Sequence, residues 1–117
     1  MSMIQCKRVY DTAKKEDGYR VLVDRLWPRG VKKTDLPYDG WSKNLAPSTE
    51  LRKAFHGETL DFQAFSEQYR QELAAHKEEG QILAARSKNG TVTLLYAAKD
   101  TQHNHAEVLA KWLRSLI

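Results

Sequence analysis

With 117 residues, 41% of them apolar and 29% charged, the chain has the length and balance of one globular domain that can bury a core without metals or disulfides. No apolar run approaches the ~18 residues of a spanning helix, the opening MSMIQCKRVY lacks the order of a secretory signal, and a lone Cys6 excludes an internal disulfide, so one cytoplasmic domain over residues 1–117 with no membrane partner is expected. Nineteen basic against fifteen acidic residues leave a net charge of +4, too mild an excess to imply nucleic acid unless it gathers on one face.

Residues 2–10, SMIQCKRVY, alternate Ile4, Cys6 and Tyr10 with polar neighbours and predict a strand, in which Cys6 reads as a buried, inert thiol. The polar run DTAKKEDG reads as a loop. Residues 19–27 place Val21 and Val23 on one side of the pleat and Leu22 and Leu26 on the other, the pattern of a central strand covered on both faces, and Pro28 and Gly30 stop it. Residues 31–47 show no period, yet Trp41 and Leu45 predict that this long segment packs onto the body.

Ser48 reads as the N-cap of a short helix, with Glu50 in the first turn, Leu51 and Phe55 four apart and Gly57 at its end. Phe62, Phe65, Tyr69 and Leu73 recur at helical spacing and predict a second helix that Gly80 follows; residues 82–86 add a helical turn before Asn89-Gly90. TVTLLYAA, residues 91–98, predicts a second buried strand. Val108, Leu109, Trp112, Leu113 and Leu116 then form the apolar stripe of a last helix whose Glu107, Lys111 and Arg114 face outward.

The two buried strands are separated by roughly sixty residues of mainly helical pattern, as a parallel crossover requires. The expected fold is α/β, a single-domain sandwich with a small, largely parallel sheet covered by helices. Ligands of such sheets bind beyond the carboxyl ends of the strands. DRLWPRG leaves one such end and KDTQHNHA another, so the two segments meet if their strands are parallel neighbours.

Within these segments, Asp24 and Arg25 each interrupt an apolar row, and burying either without a partner would cost several kcal/mol, about 3–5 for a broken buried pair. Asp24 suits a general base, an orienter of an arginine, or a purely structural ion pair; Arg25 suits a bidentate grip on phosphate or carboxylate. Trp27-Pro28-Arg29-Gly30 reads as a stiff loop presenting Arg29, either to an anion or to the face of Trp27 or Trp41. Lys43 precedes the Ser48 cap and the helix carrying Arg52, where free amides and the helix dipole favour an anion, although capping alone also accounts for Ser48. At the other strand end stand Lys99, Asn104 and His105, the last a candidate acid or base. His103 and His105 are two apart, which on a helix places them on different faces, so no metal is expected. No phosphate loop, GxGxxG, GxSxG or CxxC motif is present, and no cofactor is expected.

RVYD, DGYRVLVDRLWPRGVKK, WSKNLAPSTELRKAF and TLLYAAKDTQHNHAEVL together resemble the YeaO-like proteins, a family of small bacterial proteins classed as a domain of unknown function. The resemblance covers nearly the whole chain. It implies that Asp24, Arg25, Trp27, Arg29 and Gly30 occupy signature positions, as do Trp41, Lys43, Ser48 and Arg52 in the middle of the chain and Lys99, Asp100 and Asn104 near its end. It implies no established activity, so no catalytic residue is carried over. The family's usual Gly-His after the Leu-Arg helix stands here as His56-Gly57.

Two functions of different class remain. In the first, Arg25, Arg29, Lys43, Ser48, Arg52, Lys99 and Asn104 bind a small phosphate or carboxylate, with Asp24 or His105 as the base if there is a reaction. In the second, the basic loop with Trp27 and Trp41 binds nucleic acid, or docks a protein without catalysis.

Overall fold

The computed structural model describes residues 3–57 and 60–117. Four strands form among the described residues, β1 (Met3–Arg8), β2 (Tyr19–Leu22), β3 (Gly40–Trp41) and β4 (Thr91–Tyr96), with the aliphatic and β-branched runs in β2 and β4; they pair in parallel in the order β1-β4-β2-β3. Four helices carry the 3.6-residue periods: α1 (Thr49–His56), α2 (Phe62–Ala74), α3 (Lys77–Arg86) and α4 (His105–Ser115). The Cα radius of gyration, 13.5 Å, matches the ~13.4 Å of one folded domain of this length.

The pleat divides the core in two. Val21, Val23, Val92, Leu94 and Ile4 face one way, into a cluster completed by side chains from all four helices. Leu22 and Leu95 face the other way, onto Val9, Leu36, Trp27 and Trp41, so this second face is covered by the 27–41 segment and not by a helix. Beside them a buried polar network closes the 11–18 loop. Asp17 accepts from Lys7 Nζ (3.0 Å), from the Lys14 amide (3.0 Å) and from Arg20, while the Asp17 carbonyl accepts from Thr93 Oγ1 (2.6 Å). Gly18 (φ +64°) turns the chain from this loop into β2, where a Cβ would overlap the Thr91 carbonyl oxygen.

Four boundaries differ from the sequence expectation, the first of them at the second buried strand, expected over 91–98, which ends at Tyr96. The first strand spans 3–8 instead of 2–10, Ser2 lying outside the described residues. The strand expected over 19–27 ends at Leu22: the Val23 amide still bonds the Leu95 carbonyl (3.0 Å), but at the next position the Asp24 carboxylate replaces the ladder by accepting from the Ala97 amide (3.0 Å), and the strands part. Gly80, expected after a helix, lies inside α3, because the chain breaks earlier, at Ala75-His76, and restarts. The terminal stripe is as expected, with Val108, Leu109 and Leu113 buried and Trp112 and Leu116 half-buried. Cys6 is half-buried beneath α4, its thiol donating to the Ala106 carbonyl (3.3 Å); burial, reinforced by Glu107, pushes it up to about 12. Among the described residues no helix is long and apolar enough to cross a membrane.

Candidate functional site

Because β2 and β4 are parallel neighbours, both strands end at the same edge, and their separation there opens a cleft of about 530 Å³. Asp24, Arg25, Arg52, Lys99, Asn104 and His105 all line it. Six of the nine residues expected from sequence are therefore brought together from three distant parts of the chain.

Asn104 caps α4: its Oδ1 accepts from the Glu107 amide (3.0 Å) and its Nδ2 donates to the Asp100 carbonyl (2.8 Å). Its side chain is thus engaged in building the cleft wall. The cap sets His105 as the first helical residue, with Nε2 at 3.1 Å from the Val23 carbonyl oxygen and 2.9 Å from Asp24 Oδ1. Both neighbours are acceptors, which assigns a hydrogen to Nε2. The ring is aligned for the carbonyl, and Asp24 Oδ1 lies buried beside it without an aligned donor. Under His105 lies the fully buried Tyr69, whose hydroxyl donates to the Leu45 carbonyl; burial, with Asp24 adding to it, holds this phenol well above its usual range.

The cations are less committed. Arg25 Nε donates to the Pro47 carbonyl (3.2 Å), which fixes the guanidinium against the entry to α1, and Arg25, Arg52 and Lys99 have no acidic partner among the described residues. The acids of the cleft are held by backbone amides instead. Asp24 takes Ala97, and Asp100 Oδ1 takes the His103 and Gln102 amides (both 2.9 Å), which hold this exposed carboxyl below the usual range.

Arg29, Lys43 and Ser48 lie outside the lining. After Trp27, whose indole donates to the Val31 carbonyl (2.6 Å), the chain turns toward the helix-free face of the sheet, and Arg29 is exposed there with its carbonyl accepting from the Tyr10 hydroxyl (3.1 Å). Lys43 Nζ lies 4.1 Å over the Trp41 ring. Ser48 caps α1, accepting from the Leu51 amide (3.2 Å), and is gripped by Glu72, which accepts from its hydroxyl (2.6 Å) and its amide (2.8 Å). Trp27 and Trp41 pack edge to face at 5.6 Å, and Lys33 and Lys43 lie over their respective rings.

Sequence reasoning passed over Phe55 and Phe65, read only as core positions, and His56 and His103, all of which line the cleft. The spacing that marks a helix's apolar stripe does not distinguish a side chain in mid-core from one at the core's open end.

Residues 3–117 match the family described as "Inactive DUF488-N3 subclade". The chain is similar to "Uncharacterized protein YeaO" of Escherichia coli strain K12, 66% identical over 97% of this chain and 98% of that protein. It is also similar to "Uncharacterized protein Rv3073c" of Mycobacterium tuberculosis strain ATCC 25618 / H37Rv and "Uncharacterized protein Mb3100c" of Mycobacterium bovis, each 39% identical over 94% of this chain and 92% of the relative. No solved structure matches it.

Proposed function

Because the chain belongs to the YeaO-like family, the inactive DUF488-N3 subclade, we propose that its cleft binds a small anion, a phosphate or carboxylate, without turning it over. One observation carries this reading: Arg25, Arg52 and Lys99 line a single cleft with no acidic partner among the described residues, while Asp24 and Asp100 are held by backbone amides. Guanidinium groups favour oxyanions, since two parallel N–H donors match two oxygens, and that of Arg25 is fixed at the cleft by the Pro47 and Ala46 carbonyls. Binding is favoured over turnover by the description of the family as inactive. Asp24 and His105 act in this reading as positioning residues that keep the strand ends apart. The protein is read as cytoplasmic, with a soluble anion as its partner.

The test is thermal unfolding at constant ionic strength with inorganic phosphate, acetate and citrate. A ligand at ~100 times its dissociation constant adds roughly 2.7 kcal/mol, several degrees for a domain of this size. The shift is expected in the wild type and in Arg29→Ala, whose side chain is outside the cleft, and is lost in the Arg25→Ala/Arg52→Ala double variant. A wild-type midpoint that no anion moves, or an equal shift in the double variant, overturns the reading.

A further inference from the structure

We infer that the anion taken by this cleft carries a planar aromatic ring, as a nucleoside monophosphate does. The inference rests on the anion-binding reading and adds the class of ligand. Size is the first argument: about 530 Å³ is in the range of sites for whole small molecules and far exceeds what a bare phosphate or acetate fills. An anion that used only the cations would leave most of the cleft to water.

The second argument is the wall. Phe55 stacks on Phe65 at 4.4 Å and 21°, Phe62 continues the stack at 6.2 Å from Phe65, and His103 lies 4.9 Å from Phe62. This aromatic series runs from the fully buried Phe65 out to the half-buried Phe55 and the exposed His103, so it ends in the cleft and not in the core. The small side chains of Ala97 and Ala98, just past the end of β4, also line the cleft. Rings of this kind favour a planar π-system in offset or edge contact.

The third argument joins the two. Arg52, Phe55 and His56 are separated by three and four residues on α1, hence on one helix face about one turn, ~5 Å, apart, and all three line the cleft. One rigid element therefore presents a cation and an aromatic ledge side by side. A sugar phosphate uses only the cation, and an uncharged ring only the ledge; a mononucleotide uses both.

The experiment is calorimetric titration of the full chain with AMP, ribose 5-phosphate, adenosine and inorganic phosphate, in the wild type and in Phe55→Leu, which keeps an apolar side chain at the core edge. AMP is expected to bind at least about tenfold tighter than ribose 5-phosphate, the scale of one base stacked on a ring. Phe55→Leu is expected to bring that ratio toward one with the phosphate affinity unchanged. Should Phe55→Leu unfold, saturation transfer from the wild-type protein to the adenine H2 and H8 protons reads the same contact. If ribose 5-phosphate and phosphate bind as tightly as AMP, the inference fails and the anion-binding reading stands. If none of the four binds, both fall. A short oligonucleotide that binds in preference to AMP, with steep salt dependence, overturns the inference in favour of nucleic acid.

Discussion

Asp17 is only 3% exposed, yet it is ionised, because the protein replaces its hydration with named donors. Burial raises its pKa, but the Lys14 amide and the bonds from Lys7 and Arg20 outweigh burial and hold the carboxyl below the usual range. A depressed folded-state value gives the sign. The stabilisation is complete above the unfolded value of ~3.9 and is lost as pH falls through the folded-state value. Acid unfolding is therefore expected to set in below about pH 4, with a urea midpoint that is steeper in pH for the wild type than for Asp17→Asn. At neutral pH the same variant is expected to lose ~3–5 kcal/mol, since Lys7 and Arg20 keep their charges without a counter-ion. Equal stability of the two proteins across this range would remove Asp17 from the account. None of this was legible from DTAKKEDG, which has the composition of an ordinary loop. The charge pairing depends on Arg20 and Lys7 sharing the helix-free face of the sheet.

At the scale of the element, Gly80 is informative because a local rule misplaces it. Glycine after an apolar helical run normally marks an end. Here it is the point at which α3 meets α4, and a Cβ there would overlap the Trp112 ring and approach Leu116 Cδ1 at 3.1 Å. Two effects oppose each other in Gly80→Ala. Helix propensity gains about 1 kcal/mol, whereas forcing a methyl into a packed interface typically costs about 1–3 kcal/mol. The cost is expected to win, so denaturant unfolding should show a less stable protein. Adding Trp112→Leu should return part of the loss, and two additive substitutions would reject the contact. The early end of β2 follows the same logic: residues 19–27 alternate like one long strand, but the Asp24 carboxylate takes the Ala97 amide and ends the pairing. An alternation pattern records which residues are apolar, not where a side chain replaces a ladder bond.

At the scale of the whole molecule, the cleft joins the end of β2, the face of α1 and the 97–105 segment, which the chain brings together only through the complete sheet. A ligand there should couple these parts. Hydrogen exchange of the anion-saturated protein is expected to slow at residues 52–56 and 97–105 and to remain unchanged at 31–39, which cover the opposite face. Slowing confined to 29–43 would instead place the ligand on the tryptophan loop.

The sequence by itself determined the α/β class, the two buried strands, the four helical stretches and the edge at which charged residues collect. Each of these is encoded by spacing between near neighbours along the chain, and the resemblance of its motifs to the YeaO-like proteins pointed to the family that the comparisons bear out. Only the tertiary structure decided which of the expected residues share one cleft. Arg25 and Arg52 face the same space as His105 because β2 and β4 pair in parallel, while the turn after Trp27 carries Arg29 away, Lys43 lies over Trp41, and Glu72 holds Ser48. Neighbourhood of this kind depends on which faces pack together, and contacts between residues tens of positions apart leave no period in the sequence to be read.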